Sequence, residues 1–172
     1  MLKFFNDCKT LEALKAEYRR LANLFHPDHG GDVEKMKEIN AEHDKVFEVL
    51  KHQHNMEHPN YQTTETAEEF RTIIDALFKI GADIEIELCG RWLWIDGDTR
   101  KHKEELKACG CKWSNNKKKW YWHHVEDGMP FNHRSHTMQE IRSAYGSYRI
   151  LKDGTEEKQE GRKTVRPEYL TA

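Results

Sequence analysis

Three groups of residues in this chain have types and spacings that could do chemistry. The first is His26-Pro27-Asp28, an imidazole and a carboxylate flanking a proline that fixes the backbone between them. No nucleophile stands beside them, and a lone His–Asp pair specifies no reaction. Such a turn suits recognition: a rigid polar edge beside a basic helix fits an acidic groove on a partner. The second group is Cys109-Gly110-Cys111 with His123-His124. These are zinc-ligand types, but the single intervening residue is shorter than the usual two, and no second cysteine pair follows. Gly110 has an independent role as a helix stop, so the expectation is no metal and no cofactor. The third group is Trp92, Trp94, Trp120 and Trp122 with Lys112, Lys117, Lys118 and Lys119, and Trp113 as a fifth indole. Two readings stay open. One is a stacking platform with a basic rim for single-stranded nucleic acid. The other, which a small sheet favours, is a core of aromatic cross-strand pairs with a solvated lysine turn.

The elements that position the first group are two amphipathic helices. Thr10 can cap a helix to about Phe25, with Leu11, Leu14, Tyr18, Leu21 and Phe25 on one stripe. Lys15, Arg19 and Asn23 fall on the opposite side, read as solvated. Pro27 stops this helix, and Gly30-Gly31 allows a sharp reversal. Asp32 caps a second helix to about Lys51, with the stripe Val33, Met36, Ile39, His43, Val46, Phe47 and Leu50. Two such stripes across a short turn make an antiparallel pair. Leu2, Phe4 and Phe5 are expected to close its open end as a short helix.

Residues 53–65, with His52 just before them, are polar and aperiodic and read as a linker, which leaves His52, His54 and His58 without a fixed scaffold. Thr66 and Glu69 form a capping box for a helix carrying Phe70, Ile73, Ile74, Leu77 and Phe78, ended by Gly81. IEIEL and RWLWI alternate as strands around Cys89-Gly90, RKHKEELKAC reads as a short helix, and KKKWYWHH as a third strand. Thr137 and Glu140 box another helix, MQEIRSAY, and SYRILKDG reads as an edge strand and turn. The last twenty residues are charged and read as a mobile tail. The expected fold class is α+β: a helical hairpin over 1–52, a linker over 53–65, a small α+β domain with an antiparallel sheet over 66–125, and an extension over 126–172.

Composition bounds the rest. With 172 residues, 34% of them charged and 37% hydrophobic, the chain can bury small cores rather than one large one. The net charge of −2 demands no nucleic acid, but residues 61–90 hold two basic and seven acidic side chains, and residues 91–124 nine basic and four acidic. No apolar run has the length of a membrane span or a secretory signal. The four cysteines are then expected to be reduced thiols in a cytoplasmic protein.

Tyr18-Arg19-Arg20-Leu21-Ala22, Phe25-His26-Pro27-Asp28 and Met36-Lys37-Glu38-Ile39-Asn40 occur in the order and spacing of a known family. Residues 2–51 resemble the J-domain of DnaJ-type co-chaperones, in the abbreviated form found in bacteriophages and mobile elements. The resemblance implies that His26, Pro27 and Asp28 form a turn that docks on a DnaK-type chaperone and stimulates its ATPase. Lys15, Arg19 and Arg20 would be the basic docking face, with Asn23 beside them. Leu24 stands where the family often has lysine, His43 where a tyrosine is expected, and the usual short fourth helix is not evident. The tryptophan–lysine stretch of residues 90–124 resembles the module that accompanies such short J-domains. The glycine-rich segment and zinc repeats of full-length DnaJ are absent, so client binding would fall to that module or to the TMQEIRSAYG helix.

Two functions follow as expectations. The leading one is a J-domain co-chaperone or adaptor, not itself an enzyme, since the chain has no P-loop. Its partners would be a DnaK-type chaperone and a client protein, with no membrane. The alternative is a nucleic-acid-binding or inhibitory protein of a phage or mobile element, acting through the tryptophan–lysine domain.

Overall fold

The computed structural model describes residues 2–59, 62–81, 83–124, 135–150, 156–159 and 161. The chain divides into two compact units between Gly81 and Ala82, and together they are an α+β protein. No helix among the described residues is long and apolar enough to cross a membrane.

The first unit holds three helices: α1 (Leu11–Phe25), α2 (Val33–Glu57) and α3 (Ala67–Ile80). Thr10 and Asp32 cap the first two as their side chains predict, and Thr66 with Glu69 forms a complete capping box on the third. Leu11, Leu14, Tyr18 and Leu21 are buried against Met36, Ile39, Val46, Phe47 and Leu50 of the antiparallel neighbour. Val33, expected in that stripe, is exposed.

Three expectations need correction. Residues 2–10 form no helix. Instead the Glu42 carboxylate accepts the amide hydrogens of Lys3, Phe4 and Phe5 at 2.8–3.0 Å, which pins Phe5 into the core. The second helix does not stop near Lys51 but runs to Glu57. Nothing in HQHNME forbids helix, Gln53 donates to Glu57 one turn on, and the first breaker is Pro59. Nor is the remainder of 53–65 a linker. Asn55 donates to the Thr63 carbonyl and accepts from the Thr63 amide, and Thr63 and Glu65 are buried. This brings α3 back onto α1 and α2, so the helix assigned to the second domain belongs to the first. Its apolar stripe, Phe70, Ile73, Ile74 and Leu77, supplies the reason.

His43 sits at the centre of this unit with no exposed side-chain surface. Its ring lies 4.3 Å from Tyr18, 5.4 Å from Phe47 and 6.1 Å from Phe70. Burial pushes its pKa below the ordinary 6.5, although Asp44, whose Oδ1 is 3.3 Å away, pulls the other way. Arg71 grips that same carboxylate through two 2.9 Å hydrogen bonds. An unfolded histidine takes up a proton more readily than this one. The first unit is therefore expected to keep full stability above pH 6.5 and to lose it as pH falls below that value, by up to about 1.4 kcal/mol per pH unit until the folded pKa is passed. Thermal unfolding followed across this range should show the loss in the native chain and a flatter profile in His43→Phe. Parallel profiles would assign the acid sensitivity to other groups.

The second unit is one antiparallel sheet of six strands: β1 (Ile84–Cys89), β2 (Trp92–Gly97), β3 (Lys112–Ser114), β4 (Lys119–Trp122), β5 (Ser147–Ile150) and β6 (Glu156–Gln159), in the order β3-β4-β2-β1-β5-β6. β1 and β2 join through a two-residue turn in which Gly90 takes φ 57°. Between β2 and β3 lies α4 (Lys103–Ala108), and before β5 lies α5 (Met138–Tyr145) with its capping box on Thr137. SYRI is not an edge strand: it pairs with β1 on one side and β6 on the other. The 126–172 extension thus contributes two strands to the sheet instead of standing apart from it. The mobile tail expected over the last twenty residues lies, apart from 156–159 and 161, outside the described residues.

Candidate functional site

The His26-Pro27-Asp28 turn is a single 3-10 turn, Pro27–His29, between α1 and α2. Its backbone bonds close the turn on itself, and the His26 amide donates back to the Ala22 carbonyl of α1. The His26 carbonyl accepts from the amides of His29 and Gly31, and the Pro27 carbonyl from Gly30. Gly31 must be glycine, because a Cβ there would lie 2.2 Å from the Phe25 carbonyl carbon. His26 Nδ1 accepts the Asp28 amide hydrogen at 3.2 Å, so the neutral ring carries its proton on Nε2. That nitrogen faces Asp75 Oδ1 of α3 at 3.4 Å. The Phe78 ring packs 6.0 Å from His26 and 5.1 Å from His29. Burial holds the Asp75 carboxyl above the usual aspartate range, with His26 acting in the opposite direction.

The seven residues assigned to partner binding are not equally presented. The His26 side chain is 8% exposed and that of Asp28 45%. Pro27 is exposed, and Arg20 and Asn23 are half-buried. Arg20 is held by Glu17 on its own helix at 2.6 and 2.9 Å. Lys15 and Arg19, expected on a solvated face, are buried. Lys15 Nζ makes an ion pair with Glu65, at 1% and 0% side-chain exposure, and lies 4.9 Å from the Phe70 ring. For Lys15 and His26 the physical reason is α3 and the segment before it, which bring Glu65 and Phe70 to the lysine and Asp75 and Phe78 to the histidine. Acidic and aromatic groups of the chain itself occupy the place foreseen for a partner's acidic groove.

In the second unit the two tryptophan doublets lie on opposite faces. Leu93 pairs with Trp122 and Ile95 with Trp120, so these share one face with Ile86 and Leu88, the buried side. Trp113, opposite Trp120 across β3–β4, meets it edge to face at 5.6 Å. Trp92 and Trp94 share the other face with Tyr121 and His123, two residues absent from the set expected from sequence. Their signal is the alternation within β4, which points Tyr121 and His123 the opposite way to Trp120 and Trp122. Lys112 and Lys118 are exposed, and Lys117 Nζ sits 5.5 Å over the Trp94 ring. Lys119, expected at the hairpin tip, belongs to β4 and is paired with Asp96.

Cys89 and Cys111 are buried, and Cys8 and Cys109 half-buried. Burial pushes the Cys8 thiol up to about 11 and the Cys111 thiol up to about 12, so both are protonated at neutral pH. Among the described residues no three His, Cys, Asp or Glu side chains stand together as a metal site requires.

No family model matches the chain, and no solved structure matches it. It is 31% identical over 68 residues to the small t antigen of BK polyomavirus, which is 40% of this chain and 40% of that protein. The chain thus spans well under two thirds of the curated relative it matches. That relative is a viral protein, and at this coarse level the likeness agrees with a J-domain-like chain of viral type.

Proposed function

We propose that this chain is a J-domain-type adaptor, whose first unit engages a DnaK-type chaperone through the His26-Pro27-Asp28 turn and whose second unit holds the molecule to be delivered. The observation that carries the reading is the turn itself: a self-bonded 3-10 turn that joins two antiparallel helices and presents an exposed Asp28 carboxylate beside exposed Leu24 and Pro27. A preorganised polar corner of this kind loses little freedom on docking. ATP chemistry belongs to the partner in this reading, and the chain itself is not an enzyme. Because His26 and Lys15 lie against α3 and its approach segment and Arg19 is buried too, full engagement requires that helix to move, and α3 then acts as a cover on the docking face.

The test is the steady-state ATPase of a DnaK-type protein with and without this chain. The native chain is expected to stimulate it, and Asp28→Asn to remove most of the stimulation while leaving the helical circular-dichroism signal unchanged, since exposed substitutions typically shift stability by within about 0.5 kcal/mol. Equal stimulation by both forms, or none by either, would refute the adaptor reading.

A further inference from the structure

On the sheet face that bears Trp92, Cys89, Glu87 and Trp94 are buried and Arg142 of α5 bonds to Glu87, but the part of the face made by Trp92, Tyr121 and His123 is less covered. Leu88, Leu93, Ile95 and Trp120 fill the other face and are buried, whereas Trp92, Tyr121 and His123 remain half-open. These rings are also aligned. Trp92 lies 4.6 Å from His123 at 27° and 5.3 Å from Tyr121 at 25°, and Tyr121 and His123 are within 5° of parallel at 6.1 Å. Trp94, itself buried, backs the row at 5.7 Å and 20° from Trp92. Aromatic pairs in cores use edge-to-face contacts freely, as Trp113 and Trp120 do here. A set of co-oriented, part-exposed rings is instead a surface on which further flat groups can stack.

The charges of the same face are sorted. Its carboxylates nearest the rings are each engaged by a cation of the unit: Asp96 by Lys119, Glu85 by Arg149, and Glu87 by Arg142 through bonds of 2.5 and 2.7 Å; the exposed Glu157 lies on the same face but out on β6, at the far edge of the sheet from β4. Lys112, which pairs with Tyr121 in the strand register, and Lys117 and Lys118 in the adjoining turn make no ion pair among the described residues. Lys118 keeps its place at φ 53°, a conformation that favours glycine or asparagine. The aromatic row therefore has three cations without a carboxylate partner at its β3–β4 margin, Lys117 resting over the Trp94 ring, and the carboxylates beside the rings are engaged. We infer that the Trp92–Tyr121–His123 face binds single-stranded nucleic acid, its bases stacking on the rings and its phosphates meeting Lys112, Lys117 and Lys118. A proline-rich peptide would use the rings but leave the lysines idle, and a neutral sugar would want the carboxylate acceptors that are already engaged. A polyanion that carries flat bases uses both parts.

This inference is independent of the chaperone reading, and one titration separates them. A fluorescein-labelled oligothymidylate is added to the full chain while anisotropy and tryptophan emission are recorded at several salt concentrations. Binding should quench the indoles and weaken as salt rises. Lys112→Glu/Lys117→Glu/Lys118→Glu, on exposed or turn positions, should reduce the salt slope by about two, at roughly 0.7 for each phosphate no longer neutralised. Trp92→Ala should weaken binding about 5- to 100-fold, the range expected for one stacked base. Should Trp92→Ala fold poorly, Tyr121→Leu and the lysine variant carry the same comparison. Asp28→Asn should bind like the native chain. The inference is overturned if the oligonucleotide does not bind, if heparin competes fully and no indole is quenched (charge alone), or if the chain prefers a polyproline peptide or an oligosaccharide to the oligonucleotide.

Discussion

Lys15→Ala should cost the first unit about 3–5 kcal/mol, a large part of the roughly 5–15 kcal/mol that holds a typical domain together. Lys15 and Glu65 are both buried, at 1% and 0% exposure, and one oxygen of Glu65 makes no hydrogen bond among the described residues. Removing the ammonium leaves a carboxylate in an apolar surround with Phe70 and Phe47 beside it. The result should be a steep fall in the denaturation midpoint of the helical signal. Lys15→Met with Glu65→Leu should recover most of it, because well-packed apolar groups replace a buried pair at little or no loss. A drop of under about 1 kcal/mol, as for a pair in water, would mean that the segment around Glu65 does not dock on α1. Glu65→Gln alone should lie between these limits.

That pair also shows where sequence reading stops. The leucine stripe of α1 is legible from its spacing, and so are both caps and the reversal at Gly30-Gly31. A single amphipathic stripe assigns the other side of the helix to solvent, and with it Lys15 and Arg19. What the stripe omits is that α3 carries its own apolar row and needs a surface. Ala16 and Ala22, both buried, widen the buried arc of α1 beyond the leucines. An acidic residue just ahead of α3 then meets a lysine fifty positions earlier, a pairing that no local pattern encodes. In the second unit β1, β2 and β4 are legible because their side chains alternate. β3 and β6 are not, since KWS and EEKQ are short and polar. The alternation in RWLWI and KWYW shows that each tryptophan doublet shares a face, but not whether the two doublets share the same one. That depends on the parity of the β2–β4 register, and a shift of one residue would exchange the faces. The candidate binding row therefore gains Tyr121 and His123 and excludes Trp120 and Trp122.

The position of α3 over the turn leads to the second large effect. Asp75→Asn with Phe78→Ala should raise the apparent affinity of the chain for a DnaK-type partner. These two side chains carry α3 onto the His26 and His29 rings, at 3.4, 6.0 and 5.1 Å. If the competent form is the one with α3 displaced, the affinity measured is the intrinsic affinity scaled by the fraction displaced. Weakening the cover by about 1–2 kcal/mol would raise that fraction, and with it the ATPase stimulation at low concentration, by about 5- to 30-fold. Both residues are half-buried, and the fully buried Phe70, Ile73, Ile74 and Leu77 remain to keep the helix folded. The same argument gives opposite signs to two acidic residues that flank one imidazole. Loss of the Asp28 charge should abolish stimulation, whereas loss of the Asp75 charge should increase it. Asp28→Asn placed in the Asp75→Asn/Phe78→Ala background should be inactive again, which separates a freed docking turn from a nonspecific effect of loosening. If the double variant exposes α3 to proteolysis yet stimulates no better than the native chain, α3 is part of the scaffold and the partner is met by the exposed edge of the turn alone.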